Sequence, residues 1–125
     1  MNNNFLEAKA IEQLVEKYFN AVYAADIDTL KKIFHEKAGM SGYLGEDVIV
    51  GTPEIFYEDL SSKPSMKSEN IDCKCVISDL EVIGGIAKVT LYVDGFFGFA
   101  TIKDLFHLIK VDDEWRIIQK TFTTV

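Results

Sequence analysis

The chain has 125 residues, a length that fits one domain over residues 1–125, with 48% apolar residues and a formal charge of −7. That apolar content argues against disorder, and the negative charge, with no Lys/Arg stripe to override it, argues against nucleic acid and anionic membrane surfaces as partners. No apolar run reaches the ~18–20 residues of a membrane span, and Met1-Asn2-Asn3-Asn4 lacks the basic start and apolar core of a signal peptide, so the expected location is the cytoplasm.

In chain order, Ile11, Leu14, Val15, Tyr18 and Val22 recur at helical spacing, with Glu12, Gln13, Glu16, Lys17 and Asn20 on the opposite face. This pattern predicts a long amphipathic helix over about residues 5–24. Asp26 is suited to an N-cap, and Ile27, Leu30, Ile33 and Phe34 form the stripe of a second, shorter helix. Met40 to Val50, with Gly42 and Gly45 between short apolar runs, reads as two short strands. Thr52-Pro53-Glu54 is a helix start, with Thr as cap and Pro at the first helical position. That third helix carries Ile55, Phe56 and Leu60 and ends before Pro64.

The second half alternates with period two. Cys73, Cys75 and Ile77 alternate with polar neighbours, Gly84-Gly85 marks a hairpin, and Ala87, Val89, Leu91 and Val93 define one face of the next strand. Gly95 and Gly98 bracket another turn before a strand over 99–111, and Asp112-Asp113-Glu114 turns it into Trp115–Phe122. The expected fold class is α+β: a cone formed by a curved antiparallel sheet of mixed strand lengths packed on three N-terminal helices. A twisted sheet covered at one end leaves a hollow with a mouth, a common place for small ligands.

Cys73 and Cys75 lie two apart on one strand face, with Cα atoms ~6.6 Å apart. Parallel side chains at that separation do not close a disulfide, so both are expected as reduced thiols. No metal is expected, because His35 and His107 are far from them in sequence. The sequence contains no phosphate loop, nucleotide fingerprint or nucleophile–base pair, and no cofactor is expected.

Several local patterns carry a resemblance. They include Lys17-Tyr18-Phe19-Asn20-Ala21, Ala25-Asp26-Ile27-Asp28-Thr29-Leu30, Ile33-Phe34-His35, Gly42-Tyr43-Leu44 and Val50-Gly51-Thr52-Pro53-Glu54-Ile55-Phe56. They continue with Ala87-Lys88-Val89 and the run from Leu108 to Ile118. Together they resemble the nuclear transport factor 2-like (cystatin-like cone) superfamily over nearly the whole chain, most closely the branch named putative lumazine-binding. The same fold carries ketosteroid isomerases, dehydratases and transport adaptors, so it does not by itself assign a function.

The resemblance implies that Tyr18 stands where ketosteroid isomerases place an oxyanion-hole Tyr, and His107 near their second acid. The alternatives are a core Tyr with its hydroxyl at the rim and a buried His satisfied by a neighbour. The isomerase base position reads Met40-Ser41-Gly42-Tyr43, without a carboxylate, so the isomerase reaction is expected to be absent. Asp104, opposite in phase to His107, is expected to face water, and His35 to sit at a helix C-terminus. Trp115 is expected to plug the closed end.

The function expected is a small-molecule-binding domain with an aromatic-lined pocket for a small apolar or aromatic ligand, walled by Tyr18, Tyr43, Phe56, Leu91 and His107. The alternatives are a lyase or isomerase using His107 and Tyr18, and a non-catalytic dimerisation module. A homodimer joined through the sheet is expected. Its outward set is Cys75 or Val76 with Thr90, Tyr92, Phe106, Leu108, Ile118 and Phe122, and with Arg116 and Lys120 on the same face.

Overall fold

The computed structural model describes residues 4–125; Met1-Asn2-Asn3, on which the signal-peptide reading rests, lie outside the described residues. The elements run α1 (Asn4–Ala24), α2 (Ile27–Ile33), β1 (Phe34–Leu44), β2 (Asp47–Gly51), α3 (Glu54–Ser61), β3 (Lys74–Ile83), β4 (Ile86–Phe96), β5 (Ala100–Val111) and β6 (Glu114–Thr124). The six strands form one curved, unclosed sheet in the order β2-β1-β6-β5-β4-β3, with the three helices packed on it. All neighbours are antiparallel except β1 and β6, which run parallel. The sheet is therefore mixed, where the sequence led us to expect an antiparallel one.

The helices form where periodicity and caps place them. α1 buries Ile11, Val15, Tyr18, Ala21 and Val22 on one stripe. It stops at Ala25, whose φ of 53° leaves the helical region. Asp26 then starts α2: its carboxylate accepts from the Thr29 backbone N–H at 3.2 Å and from the Thr29 hydroxyl at 2.6 Å. These hydrogen bonds hold the Asp26 carboxyl below its ordinary value. At α3 the Thr52 hydroxyl accepts from the Glu54 N–H at 3.4 Å, but the helix begins at Glu54 with Pro53 in the cap position, one residue later than expected.

Phe34 and His35 do not extend α2, as the helical spacing suggested. Phe34 turns to ψ 138° and opens β1, so His35 lies on a strand and not at a helix end. Buried Phe34 is a sheet residue reached without a loop.

One irregularity positions the site. β5 and β6 pair as His107↔Gln119 and then Leu108↔Ile117, which leaves Ile118 as an extra residue in β6. Such a bulge shifts the side-chain phase by one. Trp115 and Ile117 face the helices before it, and Lys120 and Phe122 face them after it. On β5 the inward set is Ala100, Ile102, Asp104, Phe106 and Leu108. This matches Ala87, Val89, Leu91 and Val93 across the ladder on β4.

That phase corrects the expected outer face. Phe106, Leu108, Phe122 and Lys120 are buried under the helices, whereas Leu105 and His107 are exposed on the opposite side.

Candidate functional site

A cavity of about 150 Å³ lies between the helices and the inner face of the sheet. α1 contributes Tyr18, Phe19 and Val22, and α3 contributes Ile55, Phe56 and Asp59. Met40, Leu44 and Ile49 close one side from β1 and β2. The long strands supply Val93 and Phe96, Ile102 and Asp104, and Lys120 and Phe122. The wall is apolar except for a few groups. Tyr18 is wedged edge-on against Phe106, at 5.0 Å between ring centres, and against Phe34 at 6.1 Å. This fixes the ring in place.

Two ionisable side chains are buried in this wall: Asp104 at 3% exposure and Lys120 at 5%. They project from adjacent strands on a diagonal, since Asp104 pairs with Phe122 while Lys120 pairs with Phe106. The structure contains no ion pair between them, and Asp104 Oδ1 has no hydrogen-bond partner among the described residues. Lys120 Nζ instead lies among rings, 3.8 Å from the centre of Phe56, 5.2 Å from Phe122 and 5.7 Å from Tyr18. Burial pushes the Asp104 carboxyl up, and Lys120 pulls it partly back. Burial pushes the Lys120 ammonium down, opposed by Asp104. Desolvation exceeds mutual attraction for both groups. Burial, reinforced by Asp104, raises the Tyr18 phenol well above its ordinary value, so the phenol stays protonated.

The structure brings two of the five expected pocket residues, Tyr18 and Phe56, into this cavity. Leu91 is fully buried on the same sheet face but does not line it. His107 and Tyr43 are exposed on the outer face, so neither forms part of the cavity wall. For His107 the reason is phase: β5 has apolar residues on both faces, and its partner β4 selects the other one. For Tyr43 the inward neighbour is Gly42, which has no side chain to announce the buried face. Tyr18 and His107 are therefore on opposite sides of the sheet and cannot act on one substrate.

Asp104 points inward, contrary to the water-facing position expected for it, and Lys120 points inward because of the Ile118 bulge. A signal for Asp104 was available in the sequence. The acid stands in one period-two series with Ile102, Phe106 and Leu108. No comparable signal marked Lys120. The other acid on the wall, Asp59, is exposed and pairs with Lys63 at 3.3 Å. Trp115 is buried away from the cavity, and its indole N–H donates to Glu7 near the start of α1. Cys73 and Cys75 are free thiols, and no cluster of three His, Cys, Asp or Glu suited to a metal occurs among the described residues. No helix among them is long and apolar enough to cross a membrane.

Comparison with solved structures gives close matches to the fold. An NTF2-like protein of unknown function from Silicibacter pomeroyi matches with TM-score 0.87 and 22% identity, over 100% of each chain. One from Shewanella baltica matches with TM-score 0.86 and 21% identity, over 100% of this chain and 98% of that one. A ketosteroid isomerase-like protein from Erwinia carotovora atroseptica matches with TM-score 0.71 and 20% identity, over 95% and 96% of the two chains. Comparison with curated proteins gives no match. The family model described as "Putative lumazine-binding" matches residues 6–123, and this chain belongs to that family.

Proposed function

We propose that this protein binds a small, ring-bearing ligand in the cavity between α1, α3 and the inner sheet face. The observation that carries the reading is the cavity itself: about 150 Å³, with mostly apolar walls and two buried ionisable groups. A cavity of about that size in an apolar core accepts a benzene ring. Family membership and the cone fold support the reading without naming the ligand, because the fold hosts many unrelated functions. The test is ligand-observed NMR and thermal denaturation with toluene. We expect saturable binding and a raised melting temperature, both abolished by Val22→Trp, which fills the space from α1. A wild-type protein that takes up no ring-sized probe at millimolar concentration would refute the pocket.

A separate observation favours self-association through the outer sheet face. Tyr43, Val48, Val50 and Leu105 are large, apolar and exposed there, and they share one shallow groove. We propose that a second copy covers this groove in a two-fold dimer. Leu108 is unsuitable for the test, because it is buried under the helices. Leu105→Glu is the appropriate variant: sedimentation is expected to show a micromolar dimer for the wild type and a folded monomer for the variant. The free thiols of Cys73 and Cys75 suit a reducing compartment, and we place the protein in the cytoplasm.

A further inference from the structure

Resting on the pocket reading, we propose that the cavity selects ring-sized ligands carrying a carboxylate, anchored by Lys120, and that binding such an anion draws one proton into the site. The fold leaves two groups in the cavity wall incomplete. Lys120 Nζ has three donors and makes no hydrogen bond or ion pair with a described residue; three aromatic rings have their centres 3.8 to 5.7 Å from it, and Asp104 acts on it only at longer range. Asp104 Oδ1 is buried without a partner. Buried charged groups without partners are costly, and a ligand that supplies the partner removes that cost. The nearby rings leave room for an apolar ligand body, and the polar wall concentrates at Lys120, Asp104 and Tyr18.

The sign of the ligand follows from which groups can donate. In the anion complex Lys120 donates as an ammonium, against the effect of its own burial, while Tyr18 stays protonated and burial favours the protonated form of Asp104. The wall is therefore donor-rich, which suits an acceptor-bearing anion better than a cation. An amine ligand would need Asp104 ionised and would compete with Lys120 for the same space.

Proton bookkeeping makes this measurable. Asp104 and Lys120 together hold one titrating proton when the pair is net neutral, as either an ionised or an uncharged pair. They hold two when Lys120 is ammonium and Asp104 is carboxylic acid, and only then is the pair positive. An anion that enters while the pair is net neutral thus brings in one proton, and over that range its affinity falls about tenfold for each pH unit. The ligand carboxylate, with a pKa of about 4, stays ionised above pH 6.

The phenols and the thiol around the pair are held protonated in this range. Tyr18 on α1 is raised, Tyr57 on α3 is pushed up to about 12, and Cys75 on β3 is raised by burial, with Asp104 and Glu16 adding to it. Asp59 at the rim is paired with Lys63. The lining from β1, β2 and β4 is Met40, Leu44, Ile49, Val93 and Phe96, none of which titrates.

The experiment is calorimetric titration of the whole chain with benzoate, benzyl alcohol and benzylamine at pH 6, 7 and 8, with toluene binding measured in parallel by NMR. Benzoate is expected to bind at least tenfold more tightly than benzylamine at pH 6 and to weaken about tenfold per pH unit. Lys120→Met is expected to lose benzoate by more than tenfold, and a cooperative thermal unfolding transition shows that the variant is folded. The proposal is overturned if benzylamine binds as well as benzoate, if benzoate affinity is independent of pH, or if Lys120→Met leaves it unchanged. Toluene binding without benzoate binding would refute the anion site and leave the pocket standing. Failure of every probe, toluene included, would refute the pocket itself.

Discussion

Lys120 Nζ lies 3.8 Å from the centre of the Phe56 ring, so the buried cation of β6 rests on an aromatic face presented by α3. A desolvated contact of this kind is worth up to about 2 kcal/mol. Phe56→Leu keeps an apolar side chain but removes that face and enlarges the cavity. The variant is expected to lose ~1–3 kcal/mol in urea unfolding. An unchanged unfolding midpoint would show that the ring contributes nothing to holding Lys120.

The two buried ionisable groups set opposite pH trends. Asp104 titrates higher in the folded chain than in the unfolded one. The folded state therefore holds more protons above the ordinary carboxylate range, and stability falls as pH rises through that window. Lys120 titrates lower when folded. There the unfolded state holds more protons, and stability rises with pH up to the ordinary lysine value. The wild type is expected to show a shallow stability minimum between the two limbs. Replacing both groups with apolar side chains, Asp104→Leu with Lys120→Met, should flatten the profile and stabilise by ~1–4 kcal/mol near neutrality. Chemical denaturation from pH 5 to pH 10 measures both effects, and a destabilised double variant would contradict this account.

Two glycines on β1 make a contrasting pair. A Cβ on Gly42 would overlap the Phe122 carbonyl oxygen and come within 2.7 Å of the Phe122 ring. Neither can yield, since Phe122 is held in the cavity wall by its ladder partners Gly42 and Asp104. A Cβ on Gly39 would meet only the end of the Gln119 side chain, at 2.5 Å. Gly42→Ala is expected to cost at least ~2 kcal/mol and Gly39→Ala less than about 1 kcal/mol. Thermal unfolding of the two variants side by side decides this, and equal losses would be the contrary result.

Glu7, near the start of α1, clamps the far end of the sheet. It accepts from Lys110 Nζ at 2.7 Å and from the Trp115 indole. These bonds hold its carboxyl below the ordinary value of 4.5. The unfolded state therefore takes up the proton first on acidification. The stabilisation is complete above the unfolded value and is lost as pH falls through the folded one. Glu7→Gln should lower the melting temperature at pH 7, with the difference from wild type shrinking toward pH 3. A difference that persists unchanged at pH 3 would mean that the charge on Glu7 is irrelevant.

Sequence patterns identified the three helices, the cap at Asp26, the inward face of β4 and two of the cavity's five aromatics, Tyr18 and Phe56. Each rests on short-range physics: an amphipathic stripe, a side-chain cap or strict alternation. What escaped was the phase of the strands opposite. β5 is apolar on both faces, with Leu105, Ile109 and Val111 competing against Ile102, Phe106 and Leu108, so alternation alone does not select the buried set. The Ile118 bulge depends on a partner strand and leaves no mark in the local pattern, and it places Lys120 inside. Those long-range choices hid the Asp104–Lys120 wall and exchanged it for His107.

The place of β6 between β1 and β5 also constrains how the chain assembles. Within the sheet, the β1–β2 hairpin is joined to the β3–β5 meander only through β6, the last of the six strands in chain order. On the ribosome the hairpin and the meander must wait as separate pieces, each with an open edge, until Glu114–Thr124 emerges. Such late, long-range closure is slow and leaves apolar strand edges available to other chains. Aggregation of nascent or heat-stressed protein is therefore expected to begin at the β1 and β5 edges that β6 normally occupies.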